Sequence, residues 1–452
     1  MQTSAPTITL IGAGLAGSLL AIFLARRGFH VDIYERRPDM RQVDSSAGRS
    51  INLAMSTRGI HALQQVGLYD AVQPLAIPMR GRVIHPLHGP LAFQPYGQDA
   101  TEVLQAISRA DLNKALLNAA EAYPGVRVFF AEHCRGIQVR TGELTLYNAA
   151  RHTERRLQTA HVIGTDGAAS AVRTSLLSVG RFNFSQDYIA HGYKELTIPP
   201  GPDGTFQLDK HALHIWPRGT YMLIALPNLD GSFTCTLFLP FEGENSFDSL
   251  SSPEKVLAFF QQQFPDAVPL LANLMEQFFA HPTGALVTIK CFPWHVADKV
   301  LLLGDAAHAM VPFFGQGMNC AFEDCTYLDA CIAQYAPDWQ GVFHTFTQQR
   351  KEHTDAIADM AVSHFVEMRD RVAEAKFLLQ KRLELELERR YPGIFVPRYS
   401  MVTFHRIPYA EARRKGDVQE QILQELCAPI DRLDDLDWDY AERLIMQHLR
   451  PA

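Results

Sequence analysis

The chain has 452 residues, of which 47% are hydrophobic and 20% charged, and its formal charge is -7. This length exceeds what one compact core usually holds, so two closely packed domains are expected. Nucleic acid is an unexpected partner because the sequence has no basic stripe, and no apolar run reaches the roughly 18 residues that span a bilayer.

A strand-helix-strand unit is predicted at the N-terminus. Thr7–Ile11 is a short β-rich run, an apolar helix follows through about Arg27, and His30–Tyr34 has the pattern of a second strand. The GAGLAG motif, Gly12–Gly17, joins the first strand to the helix. Glycine there permits a tight turn, and the helix N-terminus then offers free N–H groups to a pyrophosphate. Glu35 ends the second strand, where a carboxylate can accept hydrogen bonds from ribose hydroxyls.

The middle of the chain changes its pattern twice. A helix is predicted over Arg109–Ala122, followed by strands over Val126–Phe130, Leu144–Asn148 and Leu157–Ile163. From about 182 to 240, short alternating runs separated by turn formers predict an antiparallel sheet. Ser252 then caps a helix that begins with proline. A buried strand follows over 300–303, and the chain is predicted to be mostly helical after about 316.

These patterns predict an α/β fold with a discontinuous nucleotide-binding domain. Its expected bounds are 1–180 and 285–375, interrupted by a β-sheet substrate domain over 181–284 with parts of 75–105. A helical C-terminal region is expected over 376–452. The seven cysteines include no C-x-x-C pair, so buried thiols in a reducing compartment are favoured over zinc or disulfides, and no metal is expected. No secretory signal precedes the first strand, so a cytoplasmic location is expected.

Two further segments resemble the class A flavoprotein monooxygenases. They are VIGTDGAASAVR, Val162–Arg173, and LLLGDAAHAMVPFFGQGMN, Leu301–Asn319. The resemblance implies that Asp305 holds the ribityl chain of FAD and that the next helix begins under the flavin pyrimidine. A helix N-terminus suits that place because reduced flavin is anionic. The alternative for Asp305 is an ordinary turn or helix-capping residue, and His308 is assigned no role.

Several further segments resemble the kynurenine 3-monooxygenase family, and they are spread over nearly the whole chain. They are Gly48–Gly59, Met79–His85, His191–Pro200, Leu213–Phe241, Val311–Asn319 and Arg398–Phe404. The resemblance implies a Rossmann-like FAD-binding domain of the hydroxybenzoate hydroxylase type. It also implies that NADPH reduces FAD, that O2 forms a flavin C4a-hydroperoxide, and that L-kynurenine becomes 3-hydroxykynurenine in tryptophan catabolism. The chain resembles the bacterial type, for which no membrane anchor is expected.

The resemblance also implies which residues form the two sites. The flavin contacts carry over to Gly12, Gly14, Leu15, Ala16, Gly17, Glu35, Arg36, Ala54, Arg109, Asp305, Gly317, Met318 and Asn319. The substrate contacts carry over to Arg82 and Tyr96 for the carboxylate, to Phe238, Phe313 and Phe314 as ring walls, and to His364, Glu367 and Tyr399. No catalytic residue is certain, and His364 and Glu367 are the candidates.

One position departs from the family pattern and leaves the substrate open. His364 stands where the family has asparagine, and imidazole is bulkier than an amide and can titrate. Arg82 on its own would be interpreted as a surface charge. The alternatives are therefore a class A hydroxylase acting on another aromatic substrate, or a non-catalytic binding protein with a flavoprotein fold. A homodimer is also considered.

Overall fold

The structure is a computed structural model that describes residues 7–42, 52–99, 101–368 and 375–449. The chain divides into two compact units. The first consists of Met1–Ala76, Ile107–Tyr188 and Val287–Ala358, and the second of Ile77–Ala106, Ile189–Leu286 and Asp359–Ala452. The helices after Ala358 therefore fall in the same unit as the second sheet, whereas the sequence pattern predicts 376–452 as a region of its own.

The helices include most of the chain after residue 317. They are α1 (Leu15–Arg26), α2 (Thr57–Gln65), α3 (Tyr69–Val72), α4 (Arg109–Glu121), α5 (Ala171–Leu176), α6 (Pro253–Gln263), α7 (Leu274–Ala280), α8 (Asp305–His308), α9 (Gly317–Tyr335), α10 (Trp339–Val366), α11 (Ala375–Arg390), α12 (Arg398–Thr403), α13 (Tyr409–Cys427) and α14 (Trp438–His448). Ser252 caps α6 as predicted, because its hydroxyl accepts a hydrogen bond from the Lys255 amide.

The strands lie almost entirely before residue 303. They are β1 (Thr7–Ile11), β2 (His30–Tyr34), β3 (Asn52–Met55), β4 (Ala76–Met79), β5 (Gly81–Ile84), β6 (Ala92–Pro95), β7 (Leu104–Ser108), β8 (Val126–Phe129), β9 (Glu132–Gln138), β10 (Glu143–Asn148), β11 (Thr153–Gln158), β12 (His161–Gly164), β13 (Asn183–Ile198), β14 (Ala212–Pro217), β15 (Met222–Pro227), β16 (Phe233–Pro240), β17 (Gly284–Phe292), β18 (His295–Val296) and β19 (Val300–Leu302).

The predicted single strand over Leu157–Ile163 is wrong. The chain forms two strands there, because β11 pairs antiparallel with β10 while β12 pairs in parallel with β1 and β19 in a different sheet. Both segments are β-rich, so their pattern does not show that the chain changes sheets between residues 158 and 161.

The first unit is built on a six-stranded sheet in the order β18-β19-β12-β1-β2-β8. All of its pairings are parallel except the short edge pair of β18 with β19. The central strands are buried and join α1 and α4 in one apolar core. In parallel sheets, ligands bind outside the carboxyl ends of the strands. Here β1, β12 and β19 lead at that edge into the loops that begin at Gly12, Thr165 and Leu303.

The second unit contains most of a seven-stranded sheet in the order β17-β13-β16-β15-β14-β5-β6. One face of this sheet packs against α6 and α7 in an aromatic-rich core. The register across β5, β14, β15 and β16 places Arg82 and Phe238 on the opposite face, since side chains alternate along a strand. The helices α11, α13 and α14 share a separate small core.

Among the described residues, no helix combines the length and the apolar character needed to cross a bilayer. All seven cysteines are buried and free, so none forms a disulfide. Burial raises the pKa of the Cys235 thiol and of the Cys291 thiol to about 12. The thiol form is therefore favoured, as expected for cysteines that serve as small apolar side chains.

Candidate active site

The glycine loop between β1 and α1 is open on one side and tightly packed on the other. Gly12 has φ +104°, and a Cβ there would lie 2.6 Å from the Thr165 carbonyl oxygen. A Cβ on Gly17 would lie 2.0 Å from the Gly12 oxygen, whereas one on Gly14 would meet nothing within 4 Å. Gly14 caps α1 without any side-chain hydrogen bond to the helix amides. The first turn of α1, with Leu15 and Ala16, therefore faces a space suited to a phosphate group.

Glu35 lies directly after β2 and is tied to this loop. One of its carboxylate oxygens accepts a hydrogen bond from the Ala13 amide at 2.8 Å, and the other accepts from the Arg37 amide and Nε at 3.0 and 2.8 Å. Burial raises the pKa of Glu35, but the hydrogen bonds and charge of Arg37 outweigh it and the pKa ends below its ordinary value. The carboxylate is thus ionised and retains lone pairs for ribose hydroxyls.

Two predicted flavin-contacting arginines lie at the surface. Arg36 is exposed, and its neighbour Arg37 is the residue that pairs with Glu35. Arg109 is exposed and is the first residue of α4, a helix that Ser108 caps. Their roles toward a cofactor phosphate stay predictions, and no sequence motif marks Arg37.

Asn319 holds the start of α9 against the β3 segment. Its Oδ1 accepts from the Ser56 amide at 2.9 Å, and its Nδ2 donates to the Ala54 and Gly315 carbonyls at 2.9 and 2.7 Å. The side chain of Asn319 therefore cross-links the protein, which leaves its backbone amide and that of Met318 as the groups that can face a ligand. A Cβ on Gly317 would meet nothing within 4 Å, so the first turn of this helix is also open.

Asp305 begins α8 directly after β19 and Gly304, which has φ +62°. The Asp305 carboxylate is half-buried and makes no hydrogen bond to another described residue. It does not act as the helix cap, because that position belongs to Gly304. An available carboxylate on a fixed turn at the sheet edge is the arrangement needed to accept hydrogen bonds from a polyol chain.

A half-buried cation lies among aromatic rings in the second unit. Arg82 on β5 has its guanidinium 5.4 Å from the centre of the Tyr96 ring and 4.8 Å from that of the Tyr399 ring. Within the described part of the chain, the Arg82 Nε and the Tyr96 hydroxyl are buried without a hydrogen-bond partner. Burial and the neighbouring Tyr399 raise the pKa of Tyr96, so its hydroxyl keeps its proton and can donate.

His364 and Glu367 lie near the same tyrosines. The His364 ring is 6.0 Å from the Tyr399 ring, its Nδ1 is 3.8 Å from the Glu367 carboxylate, and Lys381 on α11 lies 3.3 Å from that carboxylate. Burial alone would raise the pKa of Glu367, but Lys381 and His364 lower it well below its usual range. Burial lowers the pKa of His364, Arg82 adds to this, and Glu367 opposes it.

The phenylalanines predicted to contact the substrate ring lie in different parts of the fold. Phe238 is buried on β16 opposite Tyr193 and Met222. Phe313 and Phe314 are buried in a short turn of the first unit, and their role as ring walls stays a prediction.

The sequence patterns did not mark two further residues of the second unit, Lys381 and Phe404. The Phe404 ring lies 6.4 Å from that of Tyr96 and 6.3 Å from that of Tyr399. Phe404 closes a segment that resembles the family, whereas no sequence signal marks Lys381.

With this geometry described, comparison with known proteins identifies the family. A model described as the FAD binding domain matches residues 5–193 and 292–361. The kynurenine 3-monooxygenase of Myxococcus xanthus is 53% identical over 445 residues, covering 98% of this chain and 96% of that protein. The one from Dictyostelium discoideum is 43% identical over 456 residues, covering 98% of each. The chain belongs to the kynurenine 3-monooxygenase family.

Solved structures agree on the fold. The 2-methyl-3-hydroxypyridine-5-carboxylic acid oxygenase superposes with a TM-score of 0.66 at 19% identity, covering 83% of this chain and 96% of that one. PqsL from Pseudomonas aeruginosa gives a TM-score of 0.64 at 19% identity, covering 83% and 99%. At such identities the likeness concerns the fold alone. The predicted fold class, a Rossmann-like FAD-binding α/β domain with an antiparallel sheet and a helical C-terminal part, is confirmed.

The cofactor of the kynurenine 3-monooxygenase family fits the first unit. FAD presents a pyrophosphate, a ribose and a ribityl chain. The described residues offer an open helix N-terminus behind Gly14, an ionised Glu35 and an Asp305 carboxylate with no protein partner. The expectation of FAD is confirmed by the family match, while the individual contacts remain predictions.

Proposed function

We propose that the chain is an FAD-dependent monooxygenase that uses NADPH and O2 to hydroxylate L-kynurenine to 3-hydroxykynurenine. The observation that carries the substrate assignment is the half-buried Arg82, whose buried Nε lacks a partner beside the equally unpartnered Tyr96 hydroxyl. A buried donor without a partner costs about 1–3 kcal/mol, and more when it is charged. A carboxylate bound there would satisfy both groups.

Charge supports an amino acid rather than a neutral ring at this place. Arg82 forms no ion pair with a carboxylate among the residues described, whereas Glu367 is already matched by Lys381. A guanidinium can hold a carboxylate with two parallel charge-assisted hydrogen bonds. Glu367, with its lowered pKa, is an anion that can face the α-ammonium group of the same substrate. Arg82 and Glu367 thus form a pair of opposite charges for an amino-acid head group.

When bound, FAD supplies the activation of oxygen. The amine on the kynurenine ring already activates the carbon beside it, so the protein needs no strong acid or base there. In this proposal Arg82, Tyr96 and Tyr399 anchor the amino-acid end, and Phe238 limits where the ring can lie. Fixed geometry and exclusion of water then provide most of the protein's contribution.

The deciding experiment measures NADPH oxidation by the purified yellow protein with and without L-kynurenine, and identifies the product. We expect strong stimulation and formation of 3-hydroxykynurenine. Stimulation by 4-hydroxybenzoate but not by kynurenine would show a class A hydroxylase with another substrate. A protein that binds no flavin would contradict the proposal altogether.

A further inference from the structure

The turn of the first unit that carries Asp305, from Gly304 to His308, contacts a buried carboxylate, that of Asp324, which accepts three hydrogen bonds. Asp324, on the second turn of α9, has no exposed surface. Its Oδ2 accepts from the Gly304 amide at 3.1 Å and from His308 Nε2 at 2.6 Å, and its Oδ1 accepts from Arg350 Nε at 2.7 Å. Since a carboxylate can only accept, the proton on His308 lies on Nε2.

Asp324 belongs to a balanced buried ion network. Arg350 also donates to Glu323 at 2.8 Å, and Glu323 in turn pairs with Arg58, so two carboxylates face two guanidiniums. Burial raises the pKa of Asp324, but His308 and Arg350 outweigh it and lower the pKa below its ordinary value. A buried charge is tolerated only when it is paired and hydrogen-bonded, and Asp324 meets that condition on both oxygens.

A metal ion is a weaker interpretation of this cluster. His308, Cys320 and Asp324 do bring three ligand types together. However, Arg350 donates to Asp324 and also lies 3.4 Å from the Cys320 sulfur, so a guanidinium already supplies the positive charge. Burial raises the pKa of Cys320 well above its usual value, which disfavours the thiolate that a metal would require.

Two of these contacts, from the Gly304 amide and the His308 ring, hold the two ends of the turn that carries Asp305. Gly304 precedes α8 with a φ of +62°, and His308 is the last residue of that helix. Asp324 therefore ties the turn on either side of Asp305, while the Asp305 carboxylate itself makes no hydrogen bond to another of the described residues. We propose that Asp324 is a positioning residue that sets the Asp305 carboxylate in place to hold FAD. This inference concerns the cofactor site and does not depend on which substrate is hydroxylated.

The test compares Asp324→Asn with Asp329→Asn, since both residues lie on α9. Asp329 makes a surface ion pair with Arg27 and does not touch the Asp305 turn. Loss of a charged, buried set of hydrogen bonds should raise the FAD dissociation constant of Asp324→Asn by roughly tenfold or more. The surface change should leave it within about twofold. Both constants are measured by titrating FAD into the deflavinated proteins.

A double-mutant cycle tests whether Asp324 acts through Asp305. In an Asp305→Ala background, Asp324→Asn should add little further loss of FAD affinity, whereas independent roles would make the two losses multiply. If Asp324→Asn does not fold, His308→Gln takes its place in both measurements. A lowered melting temperature of the apoprotein combined with an unchanged FAD dissociation constant would overturn the proposal, because Asp324 would then only stabilise the fold.

Discussion

The two candidate sites are built from different materials. The cofactor site uses backbone amides, glycines and two carboxylates, placed where neighbouring strands of one parallel sheet end. The substrate site uses side chains that come from β5, from the end of α10, from α11 and from α12. A phosphate-binding loop is therefore a local property of the chain, whereas a carboxylate-binding cluster depends on which distant segments the fold brings together.

The first prediction tests why the loop between β1 and α1 requires glycine at two positions, Gly14 and Gly17. Gly17→Ala should abolish FAD retention and destabilise the apoprotein, because its Cβ would lie 2.0 Å from the Gly12 oxygen. Gly14→Ala should leave the apoprotein folded, since its Cβ would meet nothing within 4 Å, and should weaken only the binding of FAD. Apoprotein melting temperature and flavin content are the two measurements.

The pair of glycine variants distinguishes two kinds of loss. If Gly14→Ala lowered the melting temperature as much as Gly17→Ala, the space beside Gly14 would not be reserved for a ligand. If Gly14→Ala retained normal FAD affinity, the pyrophosphate would lie elsewhere. The cofactor site would then not be formed by the backbone of this loop, and it would not differ from the substrate site in the way described above.

The strand, glycine turn and helix that frame the cofactor half were predicted well from sequence alone, for a physical reason. Strand, glycine turn and helix follow each other within residues 7 to 26, so hydrophobic period and glycine spacing report the structure directly. The same holds for Glu35, which lies at the end of the second strand. The pattern did not reveal the pairing of Glu35 with Arg37, which is local, or the change of sheet between β11 and β12, which is tertiary.

The residues of the substrate site were predicted only from the resemblance to a family and not from local sequence patterns. Nothing in the local sequence around Arg82 distinguishes it from a surface arginine, and Tyr399 lies more than 300 positions away along the chain. Lys381 was missed because a lysine on an amphipathic helix is usually solvated. Its contact with Glu367 exists only once α11 is placed. Energies of such clusters depend on burial, which a sequence pattern does not report.

The second prediction concerns the cation of the substrate site. Arg82→Ala should raise the KM for L-kynurenine about 10- to 150-fold, corresponding to the loss of about 1.5–3 kcal/mol of charged hydrogen bonding. Arg80→Ala is the matched control, because Arg80 is exposed and lies two residues earlier in the chain. Steady-state kinetics with both variants give the comparison. Equal KM values for Arg82→Ala and Arg80→Ala would remove Arg82 from the site.

The third prediction uses pH to probe the helix that carries Lys381. Burial raises the pKa of Glu388 to about 7, with Glu102 and Glu384 adding to the effect. A carboxyl group with a raised folded-state pKa contributes stability below its unfolded pKa, and this contribution is lost as the pH rises through about 7. Glu388→Gln should therefore gain about 1 kcal/mol of stability relative to the parent between pH 5 and pH 8, after allowance for partial solvent exposure.

Glu386→Gln is the control on the same helix. Arg389 and Arg390 hold the pKa of Glu386 down at about 2, so that group does not titrate between pH 5 and pH 8. Unfolding midpoints of the two variants and the parent, measured at both pH values, provide the test. A pH-independent difference between Glu388→Gln and the parent would show that Glu388 is ionised in the folded protein throughout this range.

The smallest effect is expected at His364, the candidate site residue whose charge can change with pH. Burial and the charge of Arg82 lower the pKa of His364, so the ring is neutral at pH 7 and becomes a cation only in more acidic solution. A second cation beside Arg82 would repel the α-ammonium group of the substrate, and the KM of the parent should rise a few-fold as the solution becomes more acidic. His364→Asn should keep near-normal turnover at pH 8 and lose this acid rise. His405→Asn, which changes a half-exposed histidine paired with Glu102 in the same unit, should keep it. If the KM of His364→Asn still increased in acidic solution, the titrating group would be another residue, and His364 would only fill space in the pocket.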